Sequence, residues 1–224
     1  MRAPGADTVL DLGDPRAVAD LRLFLSRARA VDDGAVRLQG VGSVLAAYVC
    51  VLGARVIGEA TPTVLGLRTM SLARPATVDT TVSMSSVFDR LARLGETGTA
   101  LEVPPTQMRQ SWAAVSPPRG PWEPDGEVAG DAVVSAAAAG IAEVAAAIPE
   151  QPGAAMVQSV RAAVWSTDMQ SSPGLPRGAA FAAQVLGFAV PGEFLYRFAC
   201  GPWLRLSSSR GHVLCRRPAV LTRH

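Results

Sequence analysis

The residues best suited to chemistry lie near the C-terminus. Arg205, Arg210, Arg216 and Arg217 surround a short SSRG turn, and from Phe194 to the last residue there are six arginines and no acid. Guanidinium groups at that density can neutralise several phosphates, so these four are the candidate anion or nucleic-acid contacts. Trp112 and Trp122 form a second group. They sit among turn formers, Pro104-Pro105, Pro117-Pro118, Pro121 and Pro124. A purely flexible linker seldom carries two such large apolar surfaces, and burial is their ordinary fate. The alternative is a groove for a peptide or ligand, so both are candidate interaction aromatics.

Other chemistries fail on supply. The two histidines, His212 and His224, and the three cysteines, Cys50, Cys200 and Cys215, form no cluster and no C-x-x-C, so neither a metal site nor a cofactor is expected. Cys50 lies in an apolar run and reads as a buried thiol. Cys200 and Cys215 would be near one another if the last segment is a hairpin. A Ser-His-Asp triad would have to use His212 or His224, and no G-x-S-x-G holds a nucleophile. Gly40-Val41-Gly42 lacks the third glycine and the Lys-Ser/Thr of a phosphate loop and reads as a hairpin turn. Glu123, Asp125 and Glu127 could supply paired acids, but in a Pro-rich segment without an evident pocket they read as solvated loop charges. Asp32-Asp33-Gly34 is turn chemistry. No catalytic signature survives, and a non-enzyme is the favoured reading.

Composition bounds the rest. The chain has 224 residues, 49% of them hydrophobic and 18% charged, which is ample for a core and argues against disorder. A formal net charge of +2 makes the whole molecule no electrostatic trap for polyanions. The basic residues are all Arg, with no Lys and no Asn. Ala, Gly, Pro, Arg and Val are inflated together, the mark of a GC-rich genome rather than of selection for guanidinium contacts. Asp7, Asp11 and Asp14 stand where a signal peptide needs an apolar core. The longest apolar stretches, Ser43–Gly58 and Ala132–Ile148, are broken by Arg55 and Glu143 and read as too short for a membrane span. A cytoplasmic protein with no membrane contact is expected.

The positioning elements follow from pattern. After a loose leader over 1–13, Asp14 as N-cap and Pro15 at the first helical position open an amphipathic helix with Val18, Leu21, Leu25 and Ala28 inward. Ala35–Gln39, Val44–Leu52, Ala54–Ala60, Thr63–Leu72 and Thr77–Val82 read as strands with short, hence antiparallel, connections. Ser86 and Asp89 signal another helix, stopped by Gly95. Apolar residues at Val134, Ala137, Ile141, Val144 and Ile148 predict a helix over 131–148. Helices over 153–166, with Met156, Val157, Val160 and Val164 inward, and 176–189 follow. Glu193–Cys200 is extended, and Trp203–Ser207 with His212–Arg216 forms a hairpin.

Three helices followed by a hairpin is the order of a winged-helix DNA-binding module. A recognition helix, however, must offer polar side chains to base edges. The 176–189 segment offers only Arg177 and Gln184, while Phe181, Leu186 and Phe188 require burial. Sequence-specific reading is therefore disfavoured.

The strings SPPRGPWEPDGEV, LPRGAAFAAQVLGF and GPWLRLSSSRGHVLCRR, with VLAAYVCVLGARVIGEATP in the first half, resemble a family of uncharacterised proteins from high-GC actinobacteria. The resemblance spans most of the chain. It implies a bacterial setting and transfers no activity and no site residue.

The sequence thus predicts an α+β protein. Residues 1–103 would form an antiparallel sheet with flanking helices, 104–126 a Pro/Trp-bearing connector, and 127–224 a helical bundle closed by a wing-like β-hairpin. The expected function is a non-catalytic interaction or scaffold protein with an unknown protein partner or self-association. The alternatives are a winged-helix-like protein contacting phosphates through the Arg-rich hairpin, and an enzyme with an unrecognised polar site.

Overall fold

The structure, a computed structural model, describes residues 9–54, 61–149 and 153–216. In chain order its elements are β1 (Val9–Asp11), α1 (Pro15–Arg29), β2 (Ala35–Leu52), β3 (Thr63–Ser83), α2 (Met84–Arg93), β4 (Ala100–Glu102), β5 (Glu123–Ala129), α3 (Gly130–Ala147), α4 (Ala154–Ser166), β6 (Asp168–Met169), β7 (Ser172–Pro176), α5 (Arg177–Val185), β8 (Phe194–Cys200), β9 (Trp203–Ser208) and β10 (Gly211–Arg216). The chain divides into two compact units, Met1–Val49 with Leu67–Val115, and Cys50–Gly66 with Ser116–His224. The long strands β2 and β3 are therefore each divided between the units. The expected strand over Ala54–Ala60 lies almost wholly outside the described residues.

In the first unit, α1 begins as its chemistry requires: the Asp14 carboxylate accepts the Arg16 N–H at 2.8 Å, with Pro15 in the first turn. Val18, Leu21, Phe24, Leu25 and Ala28 are buried, and Arg27 and Arg29 end the helix where its dipole favours cations. The second helix starts three residues before the expected signal. Ser83, not Ser86, is its N-cap, and Met84, Val87 and Leu91 are buried. Arg22 of α1 donates to the Leu91 carbonyl of α2 at 2.7 Å. The leader is not wholly loose, because Val9–Asp11 pairs with β4 and Leu10 is fully buried. Arg37 grips Asp79 through two N–H groups at 2.7 Å and reaches the Ala113 carbonyl at 3.0 Å. The backbone of Met108 donates to Thr81. These bonds fasten the segment carrying Trp112, which stands half-buried in a single 3-10 turn over Ser111–Ala114.

In the second unit, α5 is the apolar centre. Residues 178–183 are all buried, and so are Leu186 and Phe188 just beyond. Trp165 of α4 stacks on Phe181 with ring centroids 4.5 Å apart. Gly140 of α3 lies so close under the Trp165 indole that a side chain there would collide with the ring. The buried stripe of α3 is Gly130, Val133, Ala137, Gly140 and Val144. The expected stripe through Val134 and Ile141 is thus displaced, and Ile141 stays 46% exposed. The smallest residues, not the most apolar ones, set the contact, because they let the helix reach Trp165. Met156 on α4 is likewise exposed rather than inward. By length and composition alone α3 is apolar enough to cross a membrane, contrary to the sequence reading, although core helices pass the same test.

The arrangement of the C-terminal half differs from the sequence expectation. The six-stranded sheet runs β2-β3-β10-β9-β8-β5. A wing needs a hairpin with a free edge. Here β9 pairs antiparallel with β8 as well as with β10, and the sheet continues from β10 to β3. The three helices do not form a closed bundle either, since α5 packs on β10 as well as on α3 and α4. A helical bundle with a wing-like β-hairpin is therefore not what this sequence builds. It builds helices packed with an antiparallel sheet. The segment read as connector contributes β5, an edge strand whose residues Glu123, Pro124, Asp125, Gly126 and Glu127 are all exposed. Its register slips after Pro124, and Gly126 takes φ +101°. Proline, acids and a bulge are the devices by which proteins blunt a sheet edge.

Candidate interaction surface

Strand β8 reads FLYRFAC, and side chains alternate along a strand, so Phe194, Tyr196 and Phe198 share one face. Directly paired residues also share a face. Tyr196 lies opposite Ser207 and Phe198 opposite Arg205, and on the next strand His212 lies opposite Ser207 and Leu214 opposite Arg205. Gly211, Val213 and Cys215 occupy the other face, where Phe188 presses on Gly211 too closely for any side chain to be added. The Tyr196 face is thus turned away from Phe188.

Two side chains singled out separately from the sequence meet on that face. The Arg205 guanidinium carbon lies 4.7 Å from the centroid of the Trp122 ring and 4.3 Å from that of Phe198. The Trp122 indole N–H donates to the Pro118 carbonyl at 3.2 Å, which holds the ring in place. Burial holds the Arg205 guanidinium below the usual arginine range, and its Nε is buried without a hydrogen-bond partner. Phe194 and Tyr196 remain 53% and 54% exposed although β8 is paired on both sides.

Arg216 shares the face of Arg205 and is half-buried. Arg210 is in the turn, 3.8 Å from Glu193. Arg217 and His224 lie outside the described residues. Trp112 belongs to the first unit and Trp122 to the second. Arg197, on the opposite face from Phe198, reaches Asp125 at 2.7 Å and Ser172 at 2.6 Å, so Asp125 is an ion-pair partner rather than a free loop charge.

His212 Nδ1 and Ser207 Oγ are 2.9 Å apart. This pair has little to offer as a nucleophile. Ser207 is buried, and in mid-strand its neighbours' N–H groups are committed to the ladder rather than free to hold an oxyanion. Among the described residues no three His, Cys, Asp or Glu side chains converge as metal ligands. None of the three cysteines is joined in a disulfide. Cys200 lies opposite Trp203, which in turn faces Arg216, so the pleat puts Cys200 and Cys215 on opposite faces and forbids a disulfide across the hairpin. Cys50 is half-buried, and burial pushes the Cys215 thiol up to about 12.

Sequence reasoning named Trp122 and Arg205 but missed Phe194, Tyr196 and Phe198. The signal was present: once Glu193–Cys200 is read as a strand, aromatics at every second position must line one face.

Residues 117–220 match the family described as a domain of unknown function (DUF8185), and residues 6–114 match that described as a domain of unknown function (DUF8010). No curated protein is similar to the chain in sequence. In architecture it is similar to the beta sliding clamp of C. crescentus, with a TM-score of 0.51 and 11% identity over 97% of this chain and 67% of that one. A second structure, the DNA polymerase sliding clamp from Caulobacter crescentus, gives a TM-score of 0.50 and 10% identity over 97% and 67%. The chain spans about two thirds of the length of these clamps. At such identity the likeness is one of fold. That fold is α+β with a large antiparallel sheet, in agreement with the strand order above and not with a bundle and wing.

Proposed function

We propose that this protein is a non-catalytic docking scaffold that takes a protein partner on the Tyr196 face of its sheet. One observation carries the reading. Phe194 and Tyr196 are more than half exposed in a strand paired on both sides, beside an arginine stacked on two aromatic rings. Tyr, Trp and Arg are the residues in which interface energy concentrates, and neighbouring exposed aromatics on a rigid sheet present a contact surface at little entropic cost. The fold shared with proteins named sliding clamps is compatible with such a role; the surface chemistry is what supports it.

The test uses the full chain as affinity bait, wild type against the double variant Phe194→Ser/Tyr196→Ser, together with sedimentation of each. Retained protein is identified by mass spectrometry and retained nucleic acid by absorbance. The expected result is a protein contact, to another chain or to a second copy, that the double variant loses while its melting temperature is unchanged. The reading falls if the double variant keeps every contact of the wild type, or if nucleic acid alone is retained.

A further inference from the structure

We infer that Arg205 is a receptor for a single carboxylate carried by an extended, otherwise apolar segment of the partner. The inference rests on the docking reading above and names what the surface recognises.

Comparison among this protein's own arginines supports it. Arg37, Arg68, Arg177 and Arg197 are all largely covered, with side-chain exposures of 13%, 24%, 17% and 15%. Each holds a carboxylate, Asp79, Asp20, Glu143 and Asp125 respectively, at 2.6–2.7 Å. Arg205 is half-buried too, yet among the described residues it has neither an ion pair nor a hydrogen bond. Its contacts are the Trp122 and Phe198 rings. A ring face attracts a cation but offers no lone pair to an N–H donor. Only its Nε is buried without a partner, so the terminal amines are the donors that an incoming acceptor can reach.

The surroundings select the acceptor. Glu127 lies opposite Tyr196 on the neighbouring edge strand, and Glu123 and Glu127 are both exposed there. Arg210 is already close to Glu193. A polyanionic backbone would meet these acids, whereas one planar carboxylate fits the guanidinium fork in isolation. Phe194 and Tyr196 stand along the same strand face, each about 7 Å from the next same-face residue. An extended peptide repeats at the same period. The ligand is therefore a segment with an acidic residue and apolar residues two and four positions from it.

The probe is the blocked peptide Leu-Ser-Leu-Ser-Glu-Ser-Leu-Ser-Leu, symmetric so that either direction presents the pattern, with its Gln counterpart as control. Binding is read by fluorescence anisotropy. On the wild type the Glu peptide binds about tenfold or more tightly than the Gln peptide, as a charge-assisted hydrogen bond requires. In Arg205→Gln the ratio falls to near one, and in Arg210→Gln it is retained. Arg205→Met melts no lower than the wild type, whereas a purely structural arginine would lower it. The inference is overturned if Glu and Gln peptides bind alike, if neither binds, or if Arg205→Gln keeps the ratio. It is also overturned if a short oligothymidylate outcompetes the Glu peptide at physiological salt, which would give the slot to phosphate. Should the peptide ratio fail while Phe194→Ser/Tyr196→Ser still loses its partner, the docking surface stands and only the carboxylate slot is removed.

Discussion

Replacing Gly140 with alanine sets two effects of opposite sign against each other. In a free helix the change is favourable by about 1 kcal/mol, because glycine is the more costly residue in a helix interior. In this fold the added Cβ would collide with the Trp165 indole. That ring is 2% exposed and stacked on Phe181, so it has little room to yield. Overpacking costs about 1–3 kcal/mol, and displacing the stacked pair adds about 0.5–1.5 kcal/mol. Packing wins, and Gly140→Ala should destabilise by about 1–3 kcal/mol, a melting shift of roughly 2–4 °C per kcal/mol in a chain of this size. Urea unfolding followed by circular dichroism measures the loss, and native-state hydrogen exchange of the α3 amides localises it. The cycle with Trp165→Leu isolates the cause: in that background the alanine should cost markedly less than it does alone. A Gly140→Ala protein more stable than the wild type would refute the close approach of α3 and α4.

Two further outcomes are expected. Arg37→Gln removes both bonds to Asp79 and the tie to Ala113; with Asp79 half exposed to solvent, a loss of about 1–2 kcal/mol is expected, with faster proteolysis within 104–115. The Cys215 thiol is raised to about 12 from an ordinary 9.0, so the unfolded chain releases its proton first. Stability should therefore fall as pH rises from 9 towards 12, the Cys215→Val protein should lack that component, and native Cys215 should react with thiol reagents far more slowly than Cys50 or Cys200.

What could be read from the sequence was local. Asp14-Pro15 announces α1 because capping acts over a few residues. The burial of Phe181, Leu186 and Phe188 was legible because a segment apolar on most of its sides has no soluble alternative. The β9–β10 hairpin was legible too, but its lateral neighbours were not. Whether a hairpin stands free as a wing or sits inside a sheet depends on β8 and β3, distant in sequence. Strand β5 was illegible for a stronger reason: Glu-Pro-Asp-Gly-Glu has almost no strand propensity, and only pairing with β8 makes it extended. The Trp122–Arg205 contact joins two residues whose chemistry was plain and whose meeting no local pattern encodes.

The edge formed by β5 has a bearing on how this chain survives at high concentration. Valine, alanine and leucine are abundant in the chain, and an open sheet edge is where another molecule could continue the ladder. Along β5, a missing amide hydrogen at Pro124, a slipped register and the charges of Glu123, Asp125 and Glu127 deny a newcomer its footing. Fibrillisation through that flank is closed off by chemistry carried on five consecutive residues.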